Sequence, residues 1–227
     1  MSTAVASLSM EMWECIQPIL RAQFDHPFVR ALGDGTLRRE NFEFYIRQDA
    51  LYLDQFAKTF AFAATRTSDH AEMERFGQLL VETIVVERSL HAEYGEEFGL
   101  TPEQMAATPM APTNYGYTRH LLTISASGTL PELLAAILPC AWIYSEVGRH
   151  FTSLGQPTPG HPYENWIRLY SAPEFEEVGR WLRERLDKRA GELSAAEKAR
   201  CMDAFVTSSR YEYMFWDMAW RQETWPV

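Results

Sequence analysis

Apolar residues recur along most of this chain at the spacing of one face of an α-helix. Phe42, Tyr45, Ile46, Leu53, Phe56 and Phe60 follow the i, i+3, i+4, i+7 template, as do Leu133, Ile137, Ala141, Tyr144, Val147 and Phe151. The pattern predicts helices near 8 to 24, 38 to 66, 69 to 98, 114 to 127, 130 to 153, 162 to 170, 173 to 190 and 194 to 222. Capping chemistry marks their starts: Thr-Pro-Glu-Gln at 101 to 104, Thr-Leu-Pro-Glu at 129 to 132, Ser-Ala-Pro-Glu at 171 to 174 and Ser-Ala-Ala-Glu at 194 to 197 each match a capping box. Strand-like alternation with hairpin turns is scarce, Asp34-Gly35 being the one Asp-Gly instance, and a helical pattern follows it. Pro and Gly cluster in the connections around 99 to 113 and 154 to 162. With no internal repeat and no break in composition, the expectation is an all-α fold and a single domain over residues 1 to 227.

Polar residues interrupt these stripes in three places. Asp49 lies seven residues after Phe42 and four before Leu53, on the same face. A carboxylate there must be paired, solvated by a cavity or raised in pKa, because burying an isolated charge is very costly. Cys140 sits within the stripe of the 130 to 153 segment directly after Pro139, whose missing N–H is expected to kink the helix. Glu212 shares a face with Cys201, Phe205, Ser209, Trp216 and Ala219. Each alone reads as an ordinary core residue, a hydrogen-bonded carboxylate or an inert buried thiol. If the three stripes face one another, Asp49, Cys140 and Glu212 converge on one acidic pocket walled by Tyr45, Tyr52, Tyr117, Tyr144 and Phe215. A thiol needs a nearby base to attack, and a desolvated carboxylate can exchange protons with nucleophile and leaving group.

Composition narrows the classes. At 227 residues the chain is one large domain or two small ones, with 46% hydrophobic and 23% charged residues, the ordinary globular range. Twenty-one Lys and Arg against 31 Asp and Glu give a formal charge of −10, which argues against nucleic acid and anionic membrane as partners. Three cysteines cannot make a disulfide framework and no basic-then-apolar leader precedes Met12, so a reduced cytoplasmic setting is expected. No stretch is expected to span a membrane. Seven Trp, 10 Tyr and 13 Phe can line a core or a pocket for a flat ligand.

Two other constellations are weaker. Glu87 and His91 share one helix face, with Glu82, His120 and His150 elsewhere, yet the Glu-x-x-His pairs of a di-iron bundle are absent. Structural roles are therefore expected for them. The basic run Arg180, Arg183, Arg185, Lys188 and Arg189, interleaved with Glu184 and Asp187, reads as a solvated helix face.

Four blocks together carry a resemblance: Tyr-Ile-Arg-Gln-Asp-Ala-Leu-Tyr-Leu (45 to 53), Pro-Thr-Asn-Tyr-Gly-Tyr-Thr-Arg-His (112 to 120), Leu-Pro-Cys-Ala-Trp-Ile-Tyr-Ser-Glu-Val-Gly (138 to 148) and Ser-Ser-Arg-Tyr-Glu-Tyr-Met-Phe-Trp-Asp-Met-Ala (208 to 219). In this order they closely resemble the TenA/thiaminase II family, and His161-Pro162-Tyr163 with Trp166 to Tyr170 looks like a fifth block. The resemblance implies a heme-oxygenase-like helical bundle without heme, a homotetramer, and no metal or organic cofactor. It implies hydrolysis of 4-amino-5-aminomethyl-2-methylpyrimidine to the hydroxymethyl pyrimidine of thiamin salvage, and cleavage of thiamin. By position, Cys140 matches the nucleophile, Glu212 the acid/base and Asp49 the carboxylate that anchors the pyrimidine. Tyr52, Tyr117, Tyr144 and Tyr170 match the tyrosines that line and tune the site. Leu51, Ala141 and Ser145 depart from the larger side chains common in the family, which bears on substrate preference. The alternatives are a di-iron or cofactor-free oxidase on the same scaffold, and a non-catalytic protein that binds a pyrimidine or regulates.

Overall fold

The computed structural model describes residues 7–99 and 107–227, apart from several side chains between Val86 and Glu97. Glu87, His91 and the 101 to 104 capping box lie outside the described residues. Every regular element among those residues is a helix. In chain order they are α1 (Leu8–Cys15), α2 (Gln17–Phe24), α3 (Pro27–Asp34), α4 (Arg39–Ala64), α5 (His70–Phe98), α6 (Pro112–Ser127), α7 (Leu130–Ser153), α8 (Glu164–Tyr170), α9 (Pro173–Ala190) and α10 (Ala195–Arg221).

Local chemistry explains most boundaries. Thr129 and Ser194 each accept from the backbone three residues on, and Glu132 and Glu197 reach back, completing the boxes read from sequence at α7 and α10. The Ser-Ala-Pro-Glu signal is different: α9 starts after Ala172, which offers no side-chain cap, so the box expected there does not form. Pro173 instead opens the helix, where its missing N–H costs nothing. The single helix expected over 8 to 24 is two, because the chain turns at Ile16 and Pro18 starts the next rod. The sequence pattern missed α3 altogether. At its end Gly35 takes φ 79°, the left-handed cap that turns the chain into α4.

All three polar-interrupted stripes point inward, and Asp49 and Glu212 are buried among apolar neighbours. Helix α7 is the central rod, packed by α10, α9 and α8. It runs through Pro139 as one helix, as the sequence pattern over 130 to 153 predicts. By length and hydropathy α7 alone among the described residues would suit a membrane span, but 89% of that window is buried inside the bundle. Its apolar girth is that of a helix surrounded by others.

Polar ties fix the rods that carry the candidate site. Gln48, beside Asp49, donates to the Pro109 carbonyl and accepts from the Ala111 N–H, while Asn114 donates to the Gln48 carbonyl at 2.7 Å. Asn41 donates to the Ala219 and Trp220 carbonyls, holding the end of α10 against α4. Gln23 accepts from the Trp216 indole at 2.9 Å and joins α2 to α10.

The basic run on α9 is not simply solvated. Arg185 and Arg189 reach the buried Glu72 of α5, which also accepts from Thr67, and Arg183 lies over the Trp142 ring at 4.2 Å. Arg180 and Lys188 stay exposed as expected.

Two glycines show how closely the rods approach. A Cβ on Gly148 of α7 would lie 2.5 Å from the Tyr170 carbonyl group, so α8 can end there only against a glycine. A Cβ on Gly179 of α9 would meet Ala141 and Trp142 at 3.7 Å, ordinary contact. Gly148→Ala should therefore cost about 1–3 kcal/mol by overpacking, whereas Gly179→Ala should be neutral or gain up to about 1 kcal/mol from helix propensity. Urea unfolding midpoints of the two variants test this contrast.

Candidate active site

Five helices deliver side chains to one internal cavity. Asp49, Tyr52 and Leu53 come from α4, Cys140 and Tyr144 from α7, Tyr170 from the end of α8, Phe175 from the first turn of α9, and Glu212 and Phe215 from α10. The helical repeat accounts for the pairing within each rod: residues three or four apart share a face, so Asp49 with Tyr52, Cys140 with Tyr144 and Glu212 with Phe215 arrive together. The thiol and both carboxylates that interrupt the stripes thus line one space.

Two of the aromatics expected as walls stand one layer back. Tyr45 is fully buried behind the cavity; its hydroxyl lies 3.4 Å from that of Tyr144 and accepts from the Trp166 indole at 3.3 Å. Tyr117, from α6, donates to Glu212 Oε1 at 2.5 Å and stacks on Tyr211 at 5.1 Å. Both hold wall residues rather than forming the wall. Leu53 and Phe175 line the cavity without having been singled out from sequence. Phe175 had a legible signal: it begins the stripe Phe175, Val178, Leu182, Leu186 on the otherwise polar α9.

Electrostatics follow from burial. Desolvation pushes the Glu212 carboxyl up to about 8; the nearby Asp49 charge adds to the rise, and the Tyr117 hydrogen bond opposes it. Glu212 is therefore a protonated acid at neutral pH, able to give up its proton near the working range. Burial likewise raises the phenols of Tyr52, Tyr117 and Tyr144 well above their ordinary range, with the Glu212 charge adding in each case. They remain neutral donors. The Tyr52 hydroxyl is buried beside that of Tyr117.

The cysteines separate by environment. Cys201 is fully buried, and desolvation pushes its thiol up to about 11, so it stays protonated and inert. Cys15 is exposed and does not line this cavity. Cys140 is half-buried at the cavity wall, close to Tyr52 and Tyr117.

Among the described residues no group of three or more His, Cys, Asp and Glu is placed to hold a metal ion. Glu82 pairs with Arg75, His120 lies 3.1 Å from the Ser208 hydroxyl, and the His150 ring stacks on Phe24. All three sit in structural contacts of this kind.

The cavity thus gathers a thiol, two carboxyl groups and several aromatic rings. The TENA/THI-4/PQQC family profile matches residues 13–222. An aminopyrimidine aminohydrolase of Halalkalibacterium halodurans is 40% identical over 223 residues, covering 96% of this chain and 98% of that protein. A TenA homologue from P. horikoshii OT3 superposes with a TM-score of 0.87 at 28% identity, covering 95% of this chain and 99% of that one. A heme-oxygenase-like domain from Shewanella denitrificans shares the fold at a TM-score of 0.72 and 14% identity, over 97% of this chain and 94% of that one. The bundle is heme-oxygenase-like, as expected from the sequence.

The raised Glu212 carboxyl has a measurable consequence for stability. Between the unfolded value of 4.5 and the folded value of about 8, the native state binds a proton that the unfolded chain does not. Stability attributable to this group therefore falls as pH rises through that window. Glu212→Gln removes the penalty, so its urea midpoint should gain on the parent protein between pH 5 and pH 8.5. An advantage that does not grow with pH would show that Glu212 is not held protonated.

Proposed function

We propose, on the premise that the chain belongs to the TENA/THI-4/PQQC family, that it is an aminopyrimidine aminohydrolase of thiamin salvage. It converts 4-amino-5-aminomethyl-2-methylpyrimidine and water to the hydroxymethyl pyrimidine and ammonia, and also hydrolyses thiamin to the same pyrimidine and its thiazole. The observation that carries this reading is the meeting of Cys140, Asp49 and a protonated Glu212 in one aromatic-walled cavity. The name borne by the 40% identical relative supports the same reaction.

Each residue then has a chemical task. The Cys140 thiolate adds to an electron-poor ring carbon while Glu212 passes its proton to the adjacent ring nitrogen. The ring's electron pair expels the amine of the aminomethyl group, which takes up the proton given up by the thiol and leaves as ammonia. Water adds at the exposed methylene, its proton passing to the departing Cys140 sulfur, and the ring nitrogen's proton returns to Glu212 as aromaticity is restored. Asp49 accepts from the 4-amino group and fixes the ring's orientation. Tyr144, Tyr170 and Phe215 supply flat apolar contact. Tyr52, which lines the cavity with its hydroxyl beside that of Tyr117, offers a hydrogen bond to the bound molecule. Tyr117 holds the Glu212 carboxyl in place, and Tyr45 does the same for Tyr144. No step calls for a metal or organic cofactor.

The same reading makes the chain a single domain that works in the cytoplasm as a homotetramer. Exposed Phe62 of α4 and Met73, Val81 and Val85 of α5 support an apolar contact between copies.

Ammonia release from the aminopyrimidine by purified protein tests the reaction. Glu212→Gln should lower kcat by about 10²–10⁴-fold, and Cys140→Ala by at least as much, with helical circular dichroism unchanged. Near-normal turnover by Cys140→Ala would overturn the nucleophile assignment. The pH profile gives a second test. Activity should fall on the alkaline side near pH 8 as Glu212 loses its proton. Tyr117→Phe removes the hydrogen bond that favours the charged form, so that limb should move to higher pH.

A further inference from the structure

The cavity at Cys140, Asp49 and Glu212 measures only about 10 Å³, room for about one water molecule. A six-membered ring cannot enter it in this structure. Beside it lies a second cavity of about 530 Å³, floored by Phe56, Phe60, Leu79 and Leu182, and within the range of ordinary ligand pockets. Its mouth carries Glu82, Glu174 and Glu177 against Arg75, which is already paired with Glu82 at 2.9 Å and Glu177 at 3.2 Å. Two residues line both spaces: Cys140 and Phe175. The partition between the large chamber and the reactive one is therefore built from the thiol and one phenyl ring.

The two halves of that partition differ in freedom to move. Cys140 lies in the middle of the central helix α7. Phe175 is half-buried in the first turn of α9, meets the Tyr170 ring edge-on at 4.8 Å, and follows a helix start with no side-chain cap. The Tyr170 backbone approaches α7 so closely that a Cβ on Gly148 would lie 2.5 Å from its carbonyl group.

We propose that Phe175 is the gate between an outer chamber and the reactive cavity, and that its bulk sets which leaving groups the enzyme accepts. This rests on the reading of the site as an aminopyrimidine hydrolase. Substrate settles in the outer chamber, Phe175 turns aside to admit the pyrimidine ring to Asp49 and Glu212, and the leaving group extends past Phe175 into the chamber. An amine leaving group fits beside the phenyl ring; the larger thiazolium of thiamin competes with it for space. The acidic mouth draws in cations, which both the aminomethyl substrate and thiamin are.

The test has two arms, both made in a Cys15→Ser background so that Cys140 is the one reactive thiol, Cys201 being buried and protonated. The first compares alkylation by iodoacetamide with reaction of the bulky aromatic disulfide 5,5′-dithiobis(2-nitrobenzoate). Phe175→Ala should raise the rate with the bulky reagent about tenfold relative to iodoacetamide, and Phe175→Trp should lower it. The second compares kcat/KM for thiamin and for the aminopyrimidine. Phe175→Ala should shift that ratio toward thiamin by about 10-fold or more, and Phe175→Trp should shift it the other way. Phe175→Leu should be intermediate in both arms if the alanine variant folds poorly. Folded variants with both ratios unchanged overturn the gate. Thiol selectivity that shifts in a protein with no turnover of either substrate upholds the gate and overturns the hydrolase reading instead.

Discussion

The Glu212 carboxyl is buried among aromatic rings, and the cost of ionising it there pushes it up to about 8. The molecule resolves this by keeping the group protonated and giving it one strong partner, the Tyr117 hydroxyl at 2.5 Å. Asp49 across the cavity adds to the bias toward the neutral form. Everything else in the site is arranged around that constraint. Tyr117 must be in place, so α6 must be docked on α4, which Gln48 and Asn114 accomplish next to Asp49 itself. The lower half of α10 must be held in register, and Gln23 and Asn41 bind it from α2 and α4.

A buried acid poised near 8 and a set of phenols held neutral make a proton-donating environment around a half-buried thiol. Cys201 shows what the same residue type becomes without access to a cavity: buried, protonated and inert. The difference between the two thiols lies in what each helix face meets, since both occupy inward positions on long amphipathic rods.

Helix α9 links the periphery to the site. Its later turns are anchored to α5 through Arg185 and Arg189 on Glu72, and to α7 through Arg183 over Trp142. Those anchors leave the first turn, with Phe175, as the part of the helix placed at the cavity boundary without a side-chain cap. A run of arginines that looks like surface decoration thus anchors the helix whose first turn lines the cavity. It does so because Glu72 is buried and would otherwise be an uncompensated charge.

Periodicity alone determined the all-α class, most helices to within a few residues, and the inward face of α4, α7 and α10. Because Asp49, Cys140 and Glu212 sit on those faces, the residues of the cavity that could carry chemistry were legible before any packing was known. Helix ends set by side-chain caps at Thr129 and Ser194 were legible for the same reason: the chemistry is local. The break at Ile16, the short α3 and the uncapped start of α9 were not, because each depends on where the chain must turn to dock. Nor could sequence say that Tyr45 and Tyr117 support the wall while Tyr170 and Phe175 form it, since a helical stripe says which way a ring faces and not what lies beyond it. The protonation of Glu212, the closeness of α8 to Gly148 and the partition at Phe175 belong to tertiary structure alone. They arise from distances between helices far apart in the chain, and no local pattern encodes a distance.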